Sequence, residues 1–413
     1  MRRVTGRLVP LLFVVYIVAY IDRVNVGFAQ LTMGAALGLS AGVYAFGAGI
    51  FFIGYFLFEI PSNLILQRVG ARRWIARIIF SWGLVSMAMA LTRSPAMFCT
   101  LRFLLGVAEA GFFPGIILYL TWWYRAEERA RLVALFMTAS TLAGVVGSPV
   151  SGILLHVHRW MGMAGWQLLF LGEGAPALLL DAFVLRWLPD GPETAPWLSD
   201  PERQRVKERL KGDDRAIDCS LRQSVAALRM PVVWLLTCVY FTVTLAGYGV
   251  QLWLPIIIKA AGHLSNLATG CTTALPYLAA TAAMLIMGFH SDRTGERSCH
   301  IFFSAAAGAI GLAGAFCYPA YGLLWLCLAL AGTNGIMGPF WALATARMVR
   351  ETRAAGVAAI NCIGNLGGFF GPQVVGALGG AAGGRGLLAL AAALFFGGAL
   401  ALTVKYDYGS LNR

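Results

Sequence analysis

The stretch RFLLGVAEAGFFPGIILYLTWWY, residues 102–124, runs for 23 residues with only two charges, Arg102 and Glu109. About 20 apolar residues are what a helix needs to cross the hydrocarbon core of a bilayer. A charge near the middle of such a helix costs roughly 2.5–3.5 kcal/mol on insertion scales. Both side chains are therefore expected to face a protein interior and to serve an ion pathway. Seven positions apart, nearly two turns, they share one helix face at a spacing of about 10 Å. A second pair of opposite charges, Asp22 and Arg23, lies in the first apolar segment.

The rest of the chain repeats this pattern. Of 413 residues, 59% are hydrophobic and 12% charged, and the mean hydropathy is +0.72, far too apolar for a soluble globular domain. Apolar runs recur at 8–30, 43–67, 74–92, 96–120, 131–156, 166–188, 231–257, 268–290, 299–317, 321–345, 354–378 and 384–405. The expected fold is all-α and integral to the membrane, with twelve transmembrane helices. With the N-terminus inside, 26 of the 32 Lys and Arg residues fall in cytoplasmic segments, so both termini are expected in the cytoplasm. The net charge of +13 is then a topology signal, and nucleic acid is not an expected partner.

The first span lacks a small-residue cleavage site and carries Asp22 and Arg23, so it reads as a retained helix and not a signal peptide. The eight cysteines contain no C-x-x-C pair and read mostly as packing residues; neither disulfides nor a metal are implied. His156 and His158 share a short segment and read as a solvated loop in preference to a zinc site.

The segment beginning DGPETAPWLSDPERQRVKERLKG, residues 190–229, is the one long hydrophilic stretch and reads as a linker. It divides the chain into 1–189 and 230–413, each with six spans. At an offset of about 225, Asn63–Arg72 matches Gly288–Arg297, Pro114 matches Pro339, Glu127 matches Glu351, and Gly144 and Gly147 match Gly368 and Gly371. A repeat of six spans preserves orientation, so the halves are expected as parallel six-helix bundles, with a substrate site near the bilayer midplane that opens to either side by rocking. Small-x-x-x-small stripes at Gly144, Ser148 and Gly152, and at Gly364, Gly367, Gly368 and Gly371, predict close helix packing. Pro149 and Pro372 mark expected kinks.

Two loops carry a family resemblance. GFHSDRTGERS after the eighth span gives Gly288, Asp292, Arg293, Gly295 and Arg297 in the pattern G-x-x-x-D-R-x-G-x-R. This resembles the loop signature of the major facilitator superfamily. The equivalent loop, NLILQRVGARR, retains Arg68, Gly70, Arg72 and Arg73, but has Asn63 and Gln67 where Gly and Asp are usual. The resemblance implies that both loops act as conformational latches. YIDRVNVGFA (20–29), GYFLFEIPSNLIL (54–66), residues 102–124, GWQLLFLGEGAPALLL (165–180) and NCIGNLGGFFGP (361–372) narrow it to the anion:cation symporters, which carry sugar acids, tartrate, phthalate and other carboxylates. In that family, uptake of an organic anion is coupled to proton entry.

Asp22 and Arg23 are adjacent, hence about 100° apart on a helix, and cannot both reach one partner. Arg23 is the preferred carboxylate binder, because a guanidinium matches carboxylate geometry. Arg102 assists it, and Asp22 is expected to pair with Arg102 or with another helix. The resemblance implies that Asp22 and Glu109 take up protons, the coupling ion, with no other cofactor. It also favours Trp341 and Asn361 as substrate contacts, with Tyr20 and Tyr55 lining the N-terminal side. At offset 225, Glu109 aligns with Asn334 and Arg102 with Cys327, so the proton site is confined to the first half. Glu59 is expected to pair with the Arg-rich loop, Glu173 to be structural, and Ser140 to leave room in the pocket. Asp181 has no physical account.

The expected activity is proton-coupled import of a small organic carboxylate by a monomer in the bacterial inner membrane. The alternative is a proton-driven exporter or antiporter of an amphipathic compound, against which Arg23 and Arg102 count. A membrane enzyme would need a nucleophile, metal set or cofactor loop, and no H-E-x-x-H, G-x-S-x-G or P-loop is present. A nutrient sensor would need a signalling domain or a long tail.

Overall fold

Serine and glycine punctuate the apolar stretches. Ser40 Oγ accepts the N–H of Val43 at 3.2 Å and starts one helix, and Ser94 Oγ accepts that of Met97 at 3.2 Å with Pro95 in the first turn of another. Gly38 (φ 63°) ends a helix in the left-handed region, where a side chain is disfavoured. A computed structural model describes residues 1–157, 160–210, 226–348, 353–380 and 384–404. His158, Arg159, Cys219 and Glu351 lie outside the described residues, and so does the repeat match resting on Glu351. Among the described residues, the regular elements are helices, and the only β pairing is an isolated bridge between Trp160 and Met163.

The chain forms two compact units. The first, Met1–Ile217 with Leu264–Ala274, contains α1 (Arg2–Val24), α2 (Val26–Leu37), α3 (Ala41–Val69), α4 (Ala71–Ala88), α5 (Pro95–Glu109), α6 (Phe112–Thr121), α7 (Ala126–His156), α8 (Gly165–Trp187) and α9 (Asp200–Arg209). The second, Asp218–His263 with Leu275–Arg413, contains α10 (Pro231–Gly262), most of α11 (Asn266–Thr294), α12 (Ser298–Cys317), α13 (Gly322–Gly335), α14 (Met337–Arg347), α15 (Arg353–Gly364), α16 (Gly367–Ala377) and α17 (Arg385–Leu402).

Among the described residues, eleven helical stretches are long and apolar enough to cross a membrane. The expected span at 354–378 is built of two short helices, α15 and α16, interrupted at Asn365 and Leu366. Glycine in a helix interior costs about 1 kcal/mol relative to alanine, and Gly364 and Gly367 flank this break. The 225-residue repeat is written into the helix ends. Shifted by 225, α3 (Ala41–Val69) becomes α11 (Asn266–Thr294), and the start of α6 at Phe112 becomes the start of α14 at Met337. The spans that hold α6 and α14 are therefore broken at the same place in both halves.

In the first unit α3 packs on α5, α4 on α8 and α5, and α1 on α7 and α8. A Cβ on Gly83 would come within 2.8 Å of Ala177 Cβ, so the α4–α8 approach requires a glycine there. In the second unit α12 packs on α13 and α17, and α10 on α15, α16 and α17. Gly364, Gly367 and Gly371 all face α10 with no room for a side chain, which is the packing role their spacing predicts. The outer faces are apolar: Leu285, Ile286 and Phe289 on α11 are 55%, 64% and 70% exposed, a surface suited to lipid. The cysteine expectation needs correction. Among the seven described cysteines Cys362 is buried, Cys99 and Cys327 are part-buried, and Cys238, Cys271, Cys299 and Cys317 are exposed, so core packing does not explain those four.

Candidate substrate and proton site

The last turn of α1 presents Tyr20, Asp22 and Arg23. Helix α1 gives way to α2 at Asn25, which remains near helical geometry (φ −59°, ψ −25°). Arg23 Nη2 donates to Glu109 Oε1, forming a buried ion pair between α1 and the end of α5. Its guanidinium lies 5.5 Å from the Tyr20 ring centroid, 5.2 Å from Phe51 and 5.4 Å from Tyr55, within cation–π range of all three. The Arg23 side chain retains 12% exposure and that of Glu109 only 2%, so the cation is the member of the pair that a solute can reach.

Glycines make this arrangement possible. Where α3 crosses α5, a Cβ on Gly106 would lie 2.9 Å from the Phe51 carbonyl carbon and 3.0 Å from Tyr55 N. Only a hydrogen at that position lets α3 bring the Phe51 and Tyr55 rings against the arginines. Helix α5 ends at Glu109 because Ala110 turns out of the helix (ψ 133°) and Gly111 is left-handed (φ 81°), with Ser62 Cβ 2.6 Å from where its own Cβ would be. The Glu109 carboxylate thus sits at a helix C-terminus, where the dipole favours a cation, and Arg23 supplies one.

Arg102 is fully buried. Its Nη2 donates to Ala48 O at 3.3 Å and its guanidinium lies 5.2 Å from the Phe51 centroid, while Nε and Nη1 have no hydrogen-bond partner. Asp22 pairs with another helix, α4, and through neutral donors: Trp82 Nε1 donates to it at 3.0 Å and Ser86 Oγ at 2.7 Å, with Asn25 Nδ2 at 3.4 Å. Trp82 and Ser86 did not emerge from the sequence. The signal available was a tryptophan and a serine four residues apart, on one face of the third apolar run. Glu173 on α8 is buried and accepts from Ser151 Oγ at 2.6 Å. Glu59 is buried in α3, Ser140 Oγ donates back to Met137 O at 2.7 Å, and Asp181 lies partly exposed on α8 with no account found for it.

The second unit has a different character. Trp341 on α14 meets Tyr240 edge-on at 4.9 Å and Phe340 at 5.2 Å, and Tyr240 stacks on Phe340 at 5.2 Å. Asn361 Oδ1 accepts from Asn365 Nδ2 at 3.2 Å, and Asn334 Nδ2 turns back to Leu330 O at 3.0 Å. Among the described residues, the buried charged side chains are Asp22, Glu59, Arg102, Glu109 and Glu173, all in the first unit.

The positions expected to act as latches fall at or beside two helix junctions. Gly70 (φ 95°) joins α3 to α4, and a Cβ there would meet Asp190 Oδ1 at 2.7 Å. Asp190 Oδ1 accepts the Arg72 N–H at 2.9 Å, and its Oδ2 lies 3.8 Å from Arg72 Nε. Asp190, read as the first linker position, therefore supplies an acid to the loop in which Gln67 stands at the usual Asp position. Arg68 is exposed. In the second junction Arg297 Nη1 pairs with Asp292 Oδ1 at 2.7 Å and donates to Ser291 Oγ at 2.9 Å, Gly295 is left-handed (φ 71°), and Gly288 lies against Gly338. Arg293 is exposed. Glu296 accepts the N–H groups of Cys299 and His300 at the start of α12. Partial burial pushes its carboxyl up, but these hydrogen bonds and that of the His300 ring outweigh it and hold Glu296 below the usual range.

The stretch after Asp190 docks on the first unit. Trp197 stacks on Trp123 at 5.8 Å with planes 13° apart, Arg7 lies 5.2 Å from the Trp197 centroid, and Arg209 pairs with Glu128 at 2.7 Å.

Comparison with known proteins places this arrangement in context. Residues 12–271 match the Major Facilitator Superfamily. A putative tartrate transporter of Agrobacterium vitis is 47% identical over 379 residues, covering 91% of this chain and 87% of that one. A quinolone resistance transporter of Acinetobacter baumannii is 42% identical over 374 residues, covering 90% and 86%. Among solved structures, a bacterial homolog of the human lysosomal transporter Spinster, inward-facing and unoccupied, aligns over 97% of this chain and 98% of that one with a TM-score of 0.77 at 17% identity, which is likeness of fold.

Proposed function

The chain belongs to the major facilitator superfamily and is a multi-pass membrane transporter, and from that premise we propose that it imports a small organic carboxylate together with protons. The observation that carries this reading is the sharing of Arg23: one reachable guanidinium, already held by the Glu109 carboxylate. A substrate carboxylate competes with Glu109 for the same fork of donors. A proton on Glu109 removes the internal competitor and frees Arg23 for the substrate, so anion and proton load together. Arg102, with two nitrogens lacking acceptors, adds positive charge beside the loaded site. Asp22, held by neutral donors on α4, is the second proton-coupling position.

Tyr20 and Tyr55 form the aromatic wall around Arg23, and Trp341 with Asn361 supplies neutral contacts from the second half. The two halves rock around the site, with the junctions at Arg68, Gly70 and Arg72 and at Gly288, Asp292, Arg293, Gly295 and Arg297 as latches. Protons are the only coupling ion, the protein works as a monomer, and both termini lie on the cytoplasmic side of a bacterial inner membrane. The relatives named for tartrate transport support a carboxylate as cargo.

The test is uptake of a carboxylate panel into proteoliposomes under an imposed inward proton gradient, with Glu109→Gln beside wild type. Uphill accumulation is expected to vanish in the variant while exchange of internal for external substrate persists. Uphill accumulation retained by Glu109→Gln would remove Glu109 from coupling. A second reading, proton-driven export of an amphipathic compound, is favoured by the relative named for quinolone resistance. It predicts that no carboxylate moves while an aromatic amphiphile is extruded against its gradient.

A further inference from the structure

Beside the Arg23–Glu109 pair lies a second buried polar cluster, of which the transport scheme uses only Asp22. Asn25, 1% exposed at the α1–α2 junction, donates to Asp22 at 3.4 Å and lies beside Glu173 of α8. Asp22 is well supplied with donors, namely Trp82 Nε1, Ser86 Oγ and Asn25 Nδ2. Glu173 is not. Ser151 Oγ donates to its Oε1 at 2.6 Å, but its Oε2 has no partner, and neither does Oδ1 of Asn25. Both orphaned atoms are buried acceptors, and Asp22 is the charged group that faces Glu173.

The donor count decides the state of this cluster. A carboxylate accepts and cannot donate, so an ionised Glu173 would leave both Oε2 and Asn25 Oδ1 without a hydrogen, which is costly in a buried site. A proton on Glu173 adds the one missing donor. Acid and amide then complement each other, with the amide N–H toward the acid and the acid O–H toward the amide oxygen, as Asn25 keeps its hold on Asp22. We infer that Glu173 is a positioning residue that keeps a resident proton and, through Asn25, fixes the Asp22 carboxyl at the α1–α2 junction. The inference deepens the proposed transport scheme by separating a proton that stays from the protons that travel, and its link to coupling rests on that scheme.

The first measurement does not depend on any substrate. Full-length protein in liposomes is followed by infrared spectroscopy from neutral to mildly alkaline pH, wild type beside Glu173→Gln. A carbonyl stretch of a neutral carboxylic acid, shifted by deuterium exchange, is expected throughout this range in the difference between the wild-type and variant spectra. Glutamine keeps both the carbonyl and a donor, so Glu173→Gln preserves the cluster and its folding. A spectrum in which the variant loses no such band shows that Glu173 is ionised and overturns the inference.

The second measurement is the pH profile of proton-driven uptake. Asn25→Leu, which breaks the bridge, is expected to shift its midpoint, and Glu173→Gln is expected to leave the midpoint in place. An unshifted Asn25→Leu profile, or a Glu173→Gln profile displaced as far as that of Asn25→Leu, overturns the positioning role. If no carboxylate is transported at all, the infrared result still decides the resident proton, and the fault lies with the transport scheme.

Discussion

Arg23 does two jobs with one guanidinium, and lysine is not equivalent there. It pairs with Glu109 and sits among three aromatic rings. A lysine keeps the charge but loses the planar fork and the stacking. Losing one charge-assisted hydrogen bond is worth about 1.5–3 kcal/mol, so Arg23→Lys should weaken carboxylate binding at least about tenfold. Equilibrium binding to detergent-solubilised protein checks this, and an unchanged affinity would remove Arg23 from the binding step. At this scale the sequence identified the charged residues but not their partners. Spacing along one helix relates Arg102 to Glu109, whereas the partner of Glu109 came from α1 and those of Asp22 from α4. Contacts between helices are set by crossing geometry, which one-dimensional periodicity does not contain.

Helix crossings and helix breaks govern the next scale. The α3–α5 crossing depends on Gly106, where even a methyl group would press on the Phe51 and Tyr55 backbone. Overpacking of this kind costs about 1–3 kcal/mol. Gly106→Ala should lower the thermal midpoint of the purified protein and reduce uptake, because the Phe51 and Tyr55 rings are displaced from the arginines. A scan of intrinsic tryptophan fluorescence against temperature reads the first effect, and an unchanged midpoint would mean that the crossing relaxes freely. The spans themselves were legible, since apolar runs of bilayer length have few other uses. The break at Asn365 and Leu366 was not read from the sequence, although the asparagines and glycines of NCIGNLGG (361–368) make that part of the run less apolar. The matching breaks before Phe112 and Met337 follow the 225-residue repeat, but it takes backbone geometry to reveal them.

For the whole molecule, the distribution of basic residues makes a prediction about sidedness. Of 32 Lys and Arg residues, 26 lie in segments assigned to the inside. Alkaline phosphatase fused after Val404 should be inactive, and a green fluorescent protein at the same point should fluoresce. Active phosphatase would invert the orientation. The linker was legible as a hydrophilic stretch, but its attachment was not. Asp190 and Trp197 are held by Arg72 and Trp123 of the first unit, partners more than 70 residues away that composition does not reveal.

The confinement of buried charge to the first unit has a thermodynamic meaning. Proton linkage to folding arises only where a titrating group changes environment between folded and unfolded states. The first half holds five buried charged groups and the second, among its described residues, none, although Glu296 there is a more exposed carboxyl held below its usual range, whose contribution is lost only in acid. Calorimetry across the neutral range, where Glu296 is ionised folded or unfolded, should therefore resolve one unfolding transition that moves with proton activity and another that responds less. The halves related by the 225-residue repeat would then differ in the protons they release or take up on unfolding.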